Sequence, residues 1–128
     1  MEIDLQTFLQ SMGIFQHYCG YPQFILAVAL AAENPDRLHN IRREIYIPVA
    51  RLCHTEVANA EKNIRTVRDV MMRNGGAEFL AALTGSSFWK NKTPYPKELI
   101  ETFAKYFGTE AQNLSTEFRN RDSFEIKF

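Results

Sequence analysis

The chain has 128 residues, 45% of them apolar and 12% aromatic, and its fifteen Lys and Arg balance fifteen Asp and Glu. This length and composition suit one folded domain and exclude an intrinsically disordered chain, and the longest apolar run, from Phe24 to Ala32, is too short to span a bilayer. Because Glu2 and Asp4 open the chain where a signal peptide would be basic, and because two cysteines are too few for a disulfide framework, we expect a cytoplasmic protein.

The first part of the chain predicts two helices whose ends are marked by Gly and Pro. Asp4 is placed to cap a short helix that ends at Gly13. Pro22 suits the first turn of a second helix, which runs to about Glu33. This second helix is apolar on nearly all sides, so we expect it at the centre of the core.

A third helical region is predicted over residues 35–52, with Asn34 as its cap and Pro35 in its first turn. Pro48 lies inside this pattern, where it removes one backbone donor and clashes with the carbonyl four residues earlier. We therefore expect a kink or break near Tyr46 and Ile47.

The next predicted element is a fourth helix, which follows a brief turn at residues 53–54. Thr55 is a good capping residue, and we predict that it caps this helix. The helix is expected to end at about Arg73, because Gly75 and Gly76 follow.

The last part of the chain predicts two more helices separated by a loop. A short helix over residues 77–83 stops at Gly85, and the loop covers residues 86–96 with two prolines. A final helix is predicted from about Pro96 to Phe107. The strict alternation of apolar and polar residues over 123–128 is typical of a short strand.

No strong strand pattern occurs elsewhere, so the predicted fold is all-α, a compact bundle of about six helices containing a helix-turn-helix. We place a helix-turn-helix effector domain at residues 1–107 and a C-terminal tail at residues 108–128. The alternating end of this tail has three open interpretations, since it could add a strand to a partner, pack on its own domain or be disordered.

The balanced total charge hides an uneven distribution along the chain. Residues 1–36 carry four acidic groups and no Lys or Arg, whereas residues 37–73 carry eight cations and four acidic groups. Seven of those eight cations are Arg, whose planar guanidinium suits phosphate oxygens and guanine edges. This pattern favours a polyanionic partner, although a solvated helix face with scattered ion pairs would have the same composition.

The predicted fourth helix divides most clearly into two faces. At about 100° per residue, its apolar residues fall in one narrow sector: Val57, Ala60, Ile64, Val67 and Met71. The opposite face carries amide, hydroxyl and cationic groups, the set that reads base edges in the major groove of DNA. A preceding helix, a short turn and this polar-faced helix match the layout of a helix-turn-helix, but many amphipathic helix pairs share that spacing.

Two short motifs in a fixed order carry a resemblance to a known family. The segment at residues 17–21 reads His-Tyr-Cys-Gly-Tyr and is similar to an H-x-x-G-Y element. The segment at residues 61–65 reads Glu-Lys-Asn-Ile-Arg and resembles E-R-x-I-R on a recognition helix. Together they resemble the DNA-binding effector domain of the master sporulation response regulator of endospore-forming Firmicutes, over roughly residues 5–107.

The resemblance implies sequence-specific binding of double-stranded promoter DNA without a cofactor, with copies paired on tandem sites and in contact with RNA polymerase. Carried over position by position, the DNA-binding residues are the following: Asn59, Glu61, Lys62, Arg65 and Thr66. Only Glu61 and Arg65 keep the family's residue, since Asn59 and Lys62 stand in place of Arg and Thr66 in place of His. A Lys ammonium cannot reproduce a bidentate contact with guanine, so we expect weaker binding and an altered target sequence.

The family's regulator also carries an N-terminal receiver domain that accepts a phosphoryl group, and this sequence starts only a few residues before the effector domain. We therefore expect a regulator that is not switched by phosphorylation of its own receiver domain. The three replaced residues leave a second hypothesis open. In that hypothesis the chain is a protein-interaction module on the same scaffold, which has lost base reading and modulates a receiver-bearing paralogue or RNA polymerase.

Metal binding and catalysis have little support in the sequence. His17, Cys19, Cys53 and His54 lack the paired spacing that is typical of zinc ligands. The sequence contains neither a nucleophile elbow nor a Gly-rich phosphate loop. We therefore expect that the protein is not an enzyme and holds no metal.

The aromatic residues of the predicted loop over 86–96 have two interpretations. Phe88, Trp89 and Tyr95 could fold over the core, as loop side chains commonly do. Exposed aromatic side chains also anchor interfaces with partner proteins or with a second copy of the chain.

Overall fold

The computed structural model describes residues 4–120, and the regular structure in that range is entirely helical. This range contains six α-helices: α1 (Leu5–Ser11), α2 (Gly20–Glu33), α3 (Ile47–Leu52), α4 (Val57–Arg73), α5 (Gly76–Thr84) and α6 (Pro96–Asn120). The same range contains further helical segments, namely 3₁₀ turns at Pro35–Asn40 and Ser87–Asn91 and a π-helical segment at Arg42–Tyr46. The predicted all-α fold is therefore confirmed.

Helix α2 lies in the core, as its apolar sequence predicts. Its residues from Gly20 to Ala31 are all buried, and the helix packs mainly against α6 and α4. Phe24 of α2 meets Phe103 of α6 edge-on, with the ring centroids 5.2 Å apart. Full burial of one such side chain contributes about 1.5–3 kcal/mol to stability, so the contact of α2 with α6 is a main support of the fold.

The predicted caps of the first helical regions are confirmed. The Asp4 side chain accepts a hydrogen bond from the Thr7 N–H at 2.7 Å, and the Asn34 side chain accepts one from the Asp36 N–H at 3.1 Å. These bonds satisfy backbone donors that have no partner inside the helix. The bond from Thr7 also lowers the pKa of the Asp4 carboxyl.

The third helical region is irregular where Pro48 predicts a break. The chain passes from the 3₁₀ turn into the π-helical segment, which ends at Tyr46, and only then into α3. The N–H of Ile47 donates to the carbonyl oxygen of Arg42, five residues earlier, so the chain widens just before the proline. A wider turn accommodates the ring and the missing donor of Pro48 without ending the helical path.

The start of α4 differs from the prediction at Thr55. The N-cap of α4 is Glu56, whose side chain makes no capping bond, and Thr55 lies one residue before this N-cap. The Thr55 N–H donates to the carbonyl oxygen of Ala50 at 2.9 Å, and its hydroxyl accepts from the Asn59 side chain at 3.3 Å. Thr55 therefore closes the turn after α3 instead of capping α4.

The last helix is longer than predicted. Phe107, the predicted end, has non-helical backbone angles of φ −131° and ψ 20°, but the chain resumes a helix that continues to Asn120. Ala111 and Ser115 in this second part are buried, so residues after 107 contribute to the same core. The predicted strand at residues 123–128 lies outside the described residues, and the domain boundary after residue 107 stays a prediction.

In the part of the chain that the structure describes, the helices are too short or too polar to cross a membrane.

Helix α2 approaches α4 closely at Gly20. A Cβ atom on Gly20 would lie 2.6 Å from Cγ2 of Val67 and 2.9 Å from the carbonyl oxygen of Asn63, distances that Cβ atoms essentially never show. Only glycine fits between the two helices without a shift of the α4 backbone. This close approach is the physical reason for a glycine in the His-Tyr-Cys-Gly-Tyr segment.

We expect Gly20→Ala to lower the free energy of unfolding by about 1–3 kcal/mol, because the added methyl group must push α4 away from α2. Urea unfolding followed by circular dichroism measures this loss. The matched control is Gln10→Ala on the exposed side of α1, which should change stability by less than about 0.5 kcal/mol. An unchanged unfolding midpoint in Gly20→Ala would show that the two helices are not in close contact.

The two cysteines should react at different rates with a thiol reagent. Cys53 is fully buried, which raises the pKa of its thiol to about 12, whereas Cys19 is exposed. Because the thiolate is the reactive form, we expect the native chain to react with one equivalent of the reagent at mildly alkaline pH and with a second after unfolding in urea. Cys19→Ser should remove the fast reaction, and a fast reaction that persists in this variant would contradict the burial of Cys53.

Candidate nucleic-acid interface

The structure places α4 on the outside of the bundle after α3 and a short turn. The face of α4 that points inward is buried, with Val70 added to the predicted set and Val57 only half-buried. The turn includes His54, which adopts a left-handed conformation with φ 55°. This arrangement is consistent with a helix-turn-helix whose second helix is α4.

Polar contacts tie α4 to its neighbours at two points. The Asn63 side-chain amide donates to Oε1 of Gln23, a fully buried residue of α2, at 3.1 Å. On the other flank, Arg68 donates to the carbonyl oxygen of Pro94 at 3.3 Å, which links α4 to the loop before α6. These bonds fix the rotation of α4 about its axis and therefore determine which residues face outward.

Four of the five predicted DNA-binding residues lie exposed on the outer face of α4: Asn59, Lys62, Arg65 and Thr66. The Asn59 side chain donates to the Thr55 hydroxyl at 3.3 Å, and the Thr66 hydroxyl donates to the carbonyl oxygen of Lys62 at 3.0 Å. Both are local contacts on the helix surface and leave the side chains accessible. The arrangement offers amide, hydroxyl and cationic groups together on one helix.

Glu61, the fifth predicted residue, is paired with a residue outside α4. Its Oε1 accepts a hydrogen bond from Nη1 of Arg42 at 3.0 Å. The side chain of Glu61 is 29% exposed and that of Arg42 is 62% exposed. The pair connects α4 to the π-helical segment before α3 and offsets the negative charge of Glu61.

Asp69, the other acidic residue within α4, is also paired with an Arg. Nε and Nη2 of Arg68 each lie 2.9 Å from Oδ1 of Asp69. Among residues 4–120, by contrast, Lys62 and Arg65 form no ion pair. The outer face of α4 therefore presents an excess of positive charge.

Tyr46 lies beneath the flank of this face and is mostly buried. Burial raises the pKa of its phenol to about 12, the negative charge of Glu61 adds to this rise, and the cations of Arg65 and Arg68 act against it. These groups influence Tyr46 because they lie near it. The phenol therefore stays neutral at physiological pH and serves as packing under the charged residues.

Arg42 is one of the eight cations of residues 37–73, but the sequence pattern does not place it at this surface. The pair with Glu61 spans nineteen residues and depends on how the π-helical segment packs against α4. Local periodicity carries no information about such a pair. The only feature of the sequence that pointed to an Arg at this surface was the excess of Arg over residues 37–73.

The aromatic residues of the predicted loop differ in burial, so Trp89 folds over the core as one interpretation expects, whereas a partner interface at Phe88 and Tyr95 stays a prediction. Trp89 is buried, and its ring N–H donates to the Thr84 hydroxyl at 3.1 Å. Phe88 and Tyr95 are exposed, and Nζ of Lys92 lies 4.6 Å from the centroid of the Phe88 ring and 5.6 Å from that of Tyr95. The loop therefore contributes one side chain to the core and presents two aromatic rings and a cation at the surface.

In residues 4–120, no group of three His, Cys, Asp or Glu side chains is arranged to hold a metal ion. Cys53 is enclosed in the core, whereas His54, the next residue, is exposed. The sulfur and imidazole groups considered as zinc ligands therefore do not form a site in the structure.

A comparison with protein-family models matches residues 5–113 to the family described as "Sporulation initiation factor Spo0A C terminal". Comparisons with curated proteins and with solved structures gave no match. The matched range covers most of the chain, from the start of α1 into the second part of α6, and confirms the family expected from the two motifs. The chain belongs to the Spo0A C-terminal family, the DNA-binding effector domains of a sporulation regulator.

Proposed function

We propose that this protein is a sequence-specific transcriptional regulator that reads double-stranded promoter DNA with the outer face of α4. The observation that carries the proposal is the charge arrangement on that face. Both acidic residues of α4 are paired with Arg, whereas Lys62 and Arg65 are exposed and form no ion pair with the described residues. A duplex carries a dense row of phosphates, so an outward helix face with unneutralised cations suits it.

Each of the five predicted DNA-binding residues has a role in the proposed reading of DNA. Arg65 offers two parallel donors to O6 and N7 of guanine, and Lys62 offers a single mobile charge to a phosphate or a base. Asn59 suits adenine, and Thr66 offers a hydroxyl. Glu61 is the acceptor that suits the exocyclic amine of cytosine.

We also propose partners that follow from family membership. A promoter-bound regulator of this family would have two protein partners. One is a second copy of the chain on a tandem DNA site, and the other is RNA polymerase. A protein of this kind works in the cytoplasm, where bacterial promoters are found.

A second function on the same scaffold is favoured by the exposed rings of Phe88 and Tyr95. A protein-interaction module would use such a surface to bind a receiver-bearing paralogue or RNA polymerase without reading bases. The two functions differ in one measurement, since an interaction module would not retard a DNA duplex. Selection of bound duplexes from a random pool tests DNA binding and reports the site sequence at once.

We expect Arg65→Ala to weaken binding to the selected duplex by about fivefold to 150-fold, because the loss of a bidentate base contact costs about 1–3 kcal/mol. Electrophoretic retardation over a range of protein concentrations measures this change. Lys105→Ala is the control, since it removes one exposed cation from α6 and should leave affinity nearly unchanged. The regulator proposal would be wrong if the wild-type chain retards no duplex of the random pool at low salt.

Lys62→Ala should act differently, because a lone ammonium contributes mainly through its charge. We expect a similar loss of affinity for all duplexes. The slope of log K against log salt concentration should become less negative by about one. Fluorescence anisotropy at several salt concentrations gives both quantities. A loss confined to one duplex sequence would instead assign Lys62 to base reading.

A further inference from the structure

The pair of Arg42 and Glu61 joins a residue on α4 to one on the preceding helical segment. Only one nitrogen of Arg42 and one oxygen of Glu61 take part in the bond, at 3.0 Å. Oε2 of Glu61 accepts no hydrogen bond from any residue in 4–120, so one of its oxygens is left for another donor. The bond between Arg42 and Glu61 therefore occupies only one of the two carboxylate oxygens of Glu61.

The pairing affects how Glu61 behaves on a surface that faces DNA. An unpaired carboxylate in a groove is repelled by the phosphates and must lose the rotamer freedom of a long side chain when it binds a base. Arg42 reduces both costs, because its guanidinium offsets the charge and the hydrogen bond restricts the side chain to one position. The partner is anchored, since it extends from the π-helical segment that ends at the buried Tyr46.

We propose that Arg42 is a positioning residue for base reading, which holds Glu61 so that the free carboxylate oxygen accepts a hydrogen bond from the exocyclic amine of cytosine. This inference rests on the proposed function, because it requires that α4 lies in the major groove. It adds a residue outside α4 to the determinants of the target sequence.

The test compares base preference, which a purely structural residue would not change. The selected site is prepared as a set of duplexes with each of the four base pairs at every position of the site. Dissociation constants are measured for the wild type and for Glu61→Gln, Arg42→Ala, Arg42→Lys and the double variant Arg42→Ala with Glu61→Gln. Arg43→Ala is the matched control, since Arg43 is the adjacent exposed Arg and forms no ion pair with residues 4–120.

The expected result is that Glu61→Gln loses the preference for cytosine at one position. Arg42→Ala should lower the preference at that same position by about twofold to fivefold, as loss of an exposed ion pair implies. Arg42→Lys should retain part of the preference for cytosine, and Arg43→Ala should retain all of it. The double variant should lose no more of this preference than Glu61→Gln alone, because both changes act through the same carboxylate. Thermal melting of each variant confirms that the fold is intact.

Three results would overturn the inference, and they are distinguishable. If Arg42→Ala weakens all duplexes equally and lowers the salt slope by about one, Arg42 is a phosphate contact. If Glu61→Gln leaves every base preference unchanged, Glu61 reads no base and Arg42 has nothing to position. If the wild type itself retards no duplex, the proposed function fails and the inference fails with it.

Discussion

The orientation of α4 depends on its contact with α2 at Gly20. Because no side chain separates the two helices there, the backbone of α4 at Asn63 lies against α2. The same Asn63 donates from its side chain to the buried Gln23 at 3.1 Å. This bond favours one register, since a shift would leave the buried Oε1 of Gln23 without a partner. The contact therefore determines which residues of α4 face outward.

The charge of the outer face depends on the neighbouring π-helical segment as well as on α4 itself. Arg42 of that segment offsets Glu61, and Arg68 of α4 offsets the adjacent Asp69. Ion pairs at such exposed sites contribute little to stability, typically about 0–1 kcal/mol. Their effect on the potential of the surface is more important, because it leaves the cations of Lys62 and Arg65 to attract a polyanion.

Most of the fold could be predicted from local patterns in the sequence. Asp4 and Asn34 are capping residues whose bonds reach only two or three residues ahead, and the structure contains both bonds. Pro48 disturbs the helix through its own ring and missing donor, so its effect is also local. The prediction failed at Thr55, because the turn after α3 uses Thr55 to bond the carbonyl of Ala50. The length of α6 was missed because burial of Ala111 against the core depends on a distant surface.

By itself, the sequence determined the helical periodicity, the division of α4 into an apolar and a polar side, and the family to which the chain belongs. These properties depend on residues a few positions apart or on the order of motifs, which the sequence records directly. Only the tertiary structure decided that Glu61 is paired with Arg42 and that the helix resumes beyond Phe107. Both results require segments far apart in the chain to be packed together, and packing follows from shape and burial that no local pattern contains.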